Sequence, residues 1–230
     1  ATGSLVYTNV TEHVKIGDAP ADFQRLAPSF TVSLQPWQEQ LLFLRLMYKS
    51  TFRMPTFNDL YYYRLGNRSL RPEKANEYNM GITWSRSFSS FLNYLSVTVD
   101  GYYNDVTDKI VAFPTTYAWK MANYGKVHVT GMDATLAAAA SLGKNMVLVV
   151  SGGYTWQKAI DLTDATSKSY KDQLPYTPKH SGNVSAVLEM PWVNVGYSIV
   201  GVSERYSMSQ NIPENRIDGY MAVSYTHLTL

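Results

Sequence analysis

FRMPTFNDLYYYRLGNRSLRPEKANEY, residues 52–78, crowds Phe52, Phe57, Tyr61, Tyr62, Tyr63 and Tyr78 together with Arg53, Arg64, Arg68, Arg71 and Lys74. Pro55 and Pro72 interrupt it. Proline removes a backbone donor and pushes the preceding residue out of the helical region, so the stretch is neither one helix nor one strand. Regular alternation stops at Pro55 and resumes after Pro72. The stretch is therefore an elaborate insert between two strands, and its purpose decides the reading.

Working outward, the strands are read from alternation with period two. Before the insert, Leu42, Leu44, Leu46, Tyr48 and Phe52 share one face, against Arg45, Lys49, Thr51 and Arg53. After it, Tyr78, Met80, Ile82 and Trp84 oppose Glu73, Glu77, Asn79, Thr83 and Ser85. The same pattern runs through 95–104, 146–157 and 217–225. Weaker alternation predicts strands near 5–13, 26–36, 124–141, 179–190 and 193–206. The Ala-rich 136–142 stretch has helical propensity, but the flanking pattern continues through it and predicts strand. The sum is about ten strands and no helix.

The connections alternate in length. Short ones fall at 35–40, 87–93, 142–145 and 191–194; long ones fall at 14–25, 54–72, 106–123, 159–178 and 207–215. A barrel standing in a membrane sorts its loops this way, with short turns on one side and long loops on the other. The longer strands match the length that a tilted membrane strand needs, about 9–11 residues. Aromatic residues gather at both strand ends: Trp37, Phe88, Phe91, Tyr94 and Trp192 by the short turns, and Tyr48, Phe52, Tyr102, Tyr103, Tyr154 and Trp156 toward the long loops. That is the arrangement of two aromatic girdles. Arg45, Lys49, Glu77, Asp100 and Asp218 lie on the other face, where a wet or protein-filled lumen tolerates charge. Amphipathic strands also build soluble sandwiches and small barrels, which is the competing reading.

Composition narrows the choice. The chain has 230 residues, 18 Tyr, 5 Trp and 8 Phe, and no Cys. Disulfides, zinc–thiolate sites and Cys nucleophiles are excluded. A net charge of +2 argues against binding nucleic acid by phosphate neutralisation. No apolar run reaches the ~18 residues of a membrane-crossing helix. His13, His128, His180 and His227 have no metal-ligand spacing and read as surface or rim residues. Ser181 beside His180 cannot pair with it as nucleophile and base, because strand neighbours point to opposite faces. No catalytic residue, metal or cofactor is expected.

With these blocks in view, the chain resembles the β-barrel of TonB-dependent outer-membrane receptors. The family's FR-x-P-T-F-x-[ED]-L-Y segment is matched by Phe52, Arg53, Pro55, Thr56, Phe57, Asp59, Leu60 and Tyr61. Its GN-x-x-L-x-PE segment is matched by Gly66, Asn67, Leu70, Pro72 and Glu73, and Gly81 follows in the next strand. YYNDVTDKIV (102–111), NYGKVHVTGMDATL (123–136, by Asn123, Gly125, Gly131 and Asp133) and LPYTPKHSGNVSAVL (174–188) are similar to later family blocks in the right order.

The resemblance implies an all-β, antiparallel, up-and-down transmembrane barrel of which this chain supplies about ten of 22 strands. Residues 1–223 would be partial barrel. SYTHLTL (224–230) resembles translated adapter sequence, which would make it a non-native tail. The resemblance further implies location in the bacterial outer membrane and contact with its lipid. It implies uptake of a small-molecule nutrient complex, with TonB reached through an N-terminal plug missing from this chain. A ferric siderophore is the favoured nutrient and cobalamin the next.

Residues 52–78 would then be an extracellular loop. Tyr61, Tyr62, Tyr63, Arg64 and Arg68, with Tyr117 and Trp119 on the following loop, are the candidate ligand contacts. They offer stacking faces and cations. Phe52, Arg53, Pro55, Asn67, Pro72, Glu73, Asn123 and Gly131 are expected to hold the fold. The alternative for the whole stretch is a purely structural role. The rival functions are a non-energised porin or adhesin barrel and a soluble β-sandwich module that binds carbohydrate.

Overall fold

A computed structural model describes residues 1–11, 22–37, 41–89, 91–114, 117–143 and 145–229. The predicted strands at 5–13 and the connections at 14–25 and 35–40 lie partly outside these residues. Ten strands form one antiparallel sheet in up-and-down order: β1 (Thr2–Val10), β2 (Phe23–Leu34), β3 (Leu41–Arg53), β4 (Glu73–Ser87), β5 (Leu92–Pro114), β6 (Trp119–Gly143), β7 (Met146–Asp161), β8 (His180–Glu189), β9 (Val193–Val202) and β12 (Tyr220–Thr229). β10 (Arg205–Tyr206) and β11 (Arg216–Ile217) form a separate small ladder inside the β9–β12 connection. The sheet is open, with β1 and β12 at its edges. Its ladder continues to Thr229, opposite Val193.

The register explains the alternation. One row runs Leu34, Leu44, Ile82, Val99, Ala134, Tyr154 across six strands. The next runs Val32, Leu46, Met80, Gly101, Met132, Trp156. These side chains share the apolar face, and many stay exposed; Met80 is 60% exposed and Ile82 42%. The opposite face carries Ser33, Arg45, Gly81, Asp100, Asp133, Thr155 and Ser181 in one row. Hydroxyl pairs bridge neighbouring strands there: Thr83 with Thr98 at 3.1 Å, Ser85 with Ser96 at 2.8 Å.

Two glycines on the polar face make room for contacts that skip a strand. Arg45 on β3 reaches over Gly81 on β4 to both carboxylate oxygens of Asp100 on β5, at 3.0 and 3.1 Å. A Cβ at Gly81 would lie 2.1 Å from Asp100 Oδ1. Tyr102 on β5 lies across Gly131 on β6 and donates to Gln157 Oε1 on β7 at 3.4 Å. A Cβ at Gly131 would meet the Tyr102 ring at 2.3 Å.

The tyrosine row on the apolar face is continuous. Tyr48 meets Tyr78 at 5.2 Å between ring centroids, Tyr78 meets Tyr103 at 6.2 Å, and Tyr103 meets His128 at 5.3 Å. Tyr102 is not part of this girdle: its place in the period-two pattern puts it on the polar face. Asp218 is also misplaced by the strand reading. It sits between β11 and β12 and pairs with Arg216 at 3.4 Å, because the strand begins only at Tyr220.

Two other expectations need correction. The connection expected at 106–123 is mostly a long hairpin. β5 continues to Pro114 and β6 starts at Trp119, in unbroken register from Val106↔Val127 to Pro114↔Trp119, apart from an unpaired Asp108. Asp108 takes a positive φ of 55° there. The insert also contains a helix, α1 (Phe57–Tyr61). Its cap is encoded locally. Thr56 accepts from Asp59 N at 3.2 Å, and Asp59 accepts from Thr56 N at 2.8 Å. This reciprocal pair satisfies two of the N–H groups that a helix start leaves free. The 136–142 stretch is strand, as the flanking alternation predicts.

The faces predict asymmetric tolerance. In the complete barrel, Ile82→Arg on the apolar face should cost about 2–4 kcal/mol if it meets hydrocarbon near mid-bilayer. Ile82→Phe should be nearly silent. Gly131→Ala on the polar face should cost about 1–3 kcal/mol by forcing the Tyr102 ring aside. Urea titration of the folded fraction, read by heat-modifiable gel migration, measures all three.

Candidate functional site at the loop-bearing rim

At the ends of β4–β7 the polar face changes character. The last row holds Ala75, Val106, Val127 and Asp161, and Val127 is fully buried. Leu174 and Ala159 pack with Ala75, Val106 and Val127, and Tyr124 and Val129 lie against the group. A second cluster joins Leu60 and Leu70 from the insert to Ile110 and Met121 from the long hairpin, flanked by Tyr61 and Leu65. The packed core therefore sits between the sheet rim and its own connections. Each leucine, isoleucine, valine and methionine among them gains about 1.5–3 kcal/mol on full burial, which favours folding the insert down over the rim.

Polar ties fix its position. Met121 N donates to Leu65 O at 2.9 Å, and Asn67 Nδ2 donates to Met121 O at 3.1 Å. Asn123 makes three bonds at once: its Nδ2 donates to Arg71 O and Asp108 O, and its Oδ1 accepts from Arg71 N at 2.9 Å. Arg71 Nε donates to Asp108 at 2.8 Å. Glu73 accepts from Ile110 N at 3.0 Å and faces Lys109 at 3.7 Å and Arg53 at 4.0 Å. Arg53 also meets Asp59 at 3.5 Å. Gly66 turns so tightly that a Cβ would lie 2.7 Å from Leu60 O.

The residues singled out in the sequence thus separate by geometry. Phe52 lies on the apolar face against Phe23, 5.0 Å between centroids. Pro55 directly precedes the extended Thr56 cap, and Pro72 directly precedes β4. Arg53, Asn67, Glu73 and Asn123 are bonded into the docked insert, and Gly131 clears space for Tyr102.

Of the candidate ligand contacts, Tyr61 is half-buried beneath Arg68, whose guanidinium carbon lies 5.2 Å from the ring centroid. Arg64 stands 5.2 Å from the Tyr63 ring, with its own φ at +64°. Tyr62 and Tyr63 are exposed, Tyr63 at 79%. Tyr117 is 98% exposed at the tip of the β5–β6 hairpin. Trp119 is turned toward a different neighbour: its ring lies 6.0 Å from Tyr176 on the β7–β8 connection. Tyr176 belongs to the 174–188 block but was not among the candidate ligand contacts. Its φ of 56° and its N–H bond to Tyr206 O at 2.7 Å place it by tertiary contact, which no local pattern encodes.

Tyr124 links the hairpin to the β9–β12 connection through Ser209 at 2.6 Å. Burial pushes the phenol above its ordinary range, partly offset by the Ser209 bond. A raised tyrosine pKa means the neutral form is favoured in the fold. That stability is present below the unfolded value and is lost as pH rises through the folded one. Among the described residues no group of three His, Cys, Asp or Glu could hold a metal ion. His128 lies by Asp105 at 3.2 Å and His180 by the Tyr154 hydroxyl at 2.7 Å, both on the rim.

Releasing the insert should be measurable. Leu70→Ala removes a buried anchor and should cost about 2–5 kcal/mol of local stability. Asn123→Ala leaves backbone groups of Arg71 and Asp108 unpaired and should cost about 1–3 kcal/mol. Limited trypsin cleavage at Arg64 and Arg68 should quicken in both variants while the barrel stays folded.

Comparison with known proteins places this architecture. A family model described as TonB dependent receptor-like, beta-barrel matches residues 2–229. The Vitamin B12 transporter BtuB of Vibrio vulnificus is 32% identical over 84 residues, covering 36% of this chain and 13% of that protein. The protein of the same name from Photobacterium profundum is 26% identical over 180 residues, covering 75% of this chain and 26% of its own length. The chain therefore spans about a quarter or less of these relatives. The ferric-catecholate import receptor Fiu from E. coli superimposes with a TM-score of 0.63 at 19% identity, over 89% of this chain and 28% of that one. The siderophore receptor PiuA from Acinetobacter baumannii does so with 0.64 at 16% identity, over 93% and 31%. The likeness to the two structures is one of fold. The family match spans nearly the whole chain, and on that ground the chain belongs to the TonB-dependent receptor β-barrel family, whose members are outer-membrane transporters rather than enzymes.

Proposed function

We propose that this chain supplies barrel wall and extracellular loops to a receptor that takes up a ferric siderophore. The energy would come from TonB through an N-terminal plug. The observation that carries the proposal is the docked insert. It is locked to the rim by Leu60, Leu70, Asn67 and Asn123, while Tyr62, Tyr63, Arg64 and Arg68 remain at its surface. Rigid support with aromatic faces and guanidinium groups outside is suited to an anionic, aromatic chelate. Tyr117, exposed at the hairpin tip, adds a further aromatic contact, and Trp119 acts with Tyr176. Charge favours the iron chelate. Cobalamin is the second reading, supported by the two sequence relatives, both of them vitamin B12 transporters.

Residues 1–223 are proposed as native wall. Residues 224–230 are proposed as foreign on the resemblance of SYTHLTL alone, and the genomic sequence downstream of Val223 tests that point.

Binding to the complete, detergent-purified receptor tests the ligand. Ferric catecholate chelates should quench its intrinsic fluorescence at submicromolar concentration. The double variant Tyr63→Ala, Arg64→Gln should bind at least about tenfold more weakly, the loss expected for one cation–π pair with a charge-assisted bond. Saturable binding of cobalamin without any response to ferric chelates would replace the first reading with the second. Unchanged chelate affinity in the double variant would remove these residues from the site.

A further inference from the structure

The outward face of β4–β6 ends in a row that the docked insert does not use. Lys74, Thr107 and Lys126 stand side by side there, on the face opposite buried Ala75, Val106 and Val127. Lys74 and Lys126 are exposed. Lys74 lies ten residues from Trp84 on the same face of β4. Ten residues are about 33 Å along a strand and about 25 Å in height at the tilt of a membrane strand, which is the height of the apolar band of such a barrel. The lysine row therefore stands at the boundary where lipid head groups lie.

The charges of this row are not balanced. Lys74 has no carboxylate partner among the described residues. Lys126 approaches Asp105 at 4.0 Å, and His128 meets the same carboxylate at 3.2 Å. On neighbouring β2, Arg25 Nη2 donates to Ser50 Oγ at 3.0 Å and adds a third cation. Two strand spacings, about 10 Å, separate Lys74 from Lys126, so both long side chains can close on one phosphate over Thr107.

Below the row the face is hollowed. An apolar groove of about 590 Å³ opens around Gly101, walled by Leu46, Tyr48, Tyr78, Met80 and Tyr103. A Cβ at Gly101 would meet nothing closer than Met80 O at 4.0 Å, so the missing side chain is itself part of the space. Tyr48 donates to Asn76 Oδ1 at 3.4 Å, between the groove and the lysines. From the boundary inward the strip thus presents cations, a polar amide, tyrosines and an apolar groove. A lipid presents phosphate, polar backbone and acyl chain in the same order.

We propose that this strip holds one anionic lipid of the outer leaflet. Its phosphate lies between Lys74 and Lys126, and an acyl chain lies in the groove at Gly101. Charge selects the occupant, because a zwitterionic lipid would bring its own ammonium group against Lys74. The proposal rests on the long connections standing outside the cell and is independent of which nutrient they bind.

The complete receptor, purified in detergent and stripped of lipid, tests this by native mass spectrometry. The probes are bis-phosphorylated lipid A, dephosphorylated lipid A, phosphatidylethanolamine and phosphatidylglycerol. One bis-phosphorylated lipid A per receptor should be retained at least about tenfold more tightly than the dephosphorylated form or phosphatidylethanolamine. The double variant Lys74→Gln, Lys126→Gln should abolish that preference. Gly101→Leu, which fills the groove and touches no charge, should weaken both forms of lipid A alike. Lys168→Gln, on the exposed β7–β8 connection, should change nothing. Chelate binding in these variants should stay at the wild-type level, which separates this test from that of the ligand. Heat-modifiable migration reports folding, and Lys74→Gln alone carries the comparison if the double variant does not fold. Equal retention of all four lipids, preference for phosphatidylglycerol, or wild-type retention in the folded lysine and Gly101 variants would overturn the proposal.

Discussion

A peptide group in hydrocarbon has no water to bond, so each N–H and C=O must find its partner within the protein. A continuous ladder of strands meets that demand, and it commits every side chain to a face. In this chain the ladder runs without a crossover from β1 through β9 to β12. A slip of one residue anywhere would send Ile82 to the polar side and Arg45 toward lipid. The rows built on Leu34 and on Ser33 are therefore two consequences of one register. Among the described residues β1 and β12 form the two edges of this sheet.

Where the wall leaves the membrane, the constraint relaxes and different interactions take over. The polar face ends in an apolar row, and the connections fold onto it. Leu60 and Leu70 reach Ile110 and Met121 across more than 30 residues of sequence. Asn123 secures the join by bonding both Arg71 and Asp108. The rigid insert then presents its tyrosines and arginines on a fixed base. Lower on the wall, Gly81 and Gly131 serve a related purpose. Each lets one long side chain reach over an intervening strand, as Arg45 does to Asp100 and Tyr102 does to Gln157.

The strands were legible because burial on one face imposes period two on Leu42, Leu44, Leu46 and Tyr48, and cross-strand pairing repeats it in the next strand. The loop-length rhythm was legible for a similar reason: each strand reverses direction. Misreadings arose where that single-face rule weakens. Above the membrane both sides of β5 and β6 meet protein or water, so Thr107, Asp108 and Lys109 hide a strand that continues to Pro114. The helix at Phe57–Tyr61 was encoded in Thr56 and Asp59, a capping pair that the surrounding aromatics obscured. The pairing of Tyr176 with Trp119 and Tyr206 depends on contacts between distant connections, and no local spacing announces it.

The account rests on the face assignment, which single-cysteine labelling measures directly once any cysteine outside these 230 residues is replaced; within them there is none. Single cysteines at positions 79, 80, 82, 83 and 84 of β4 can carry a nitroxide label in the complete receptor reconstituted in lipid. Collision rates with oxygen and with a water-soluble nickel chelate should alternate with period two. Positions 80, 82 and 84 should favour oxygen, and 79 and 83 should not. Equal exposure of both faces to the aqueous relaxant, or the opposite phase, would contradict the membrane wall described above.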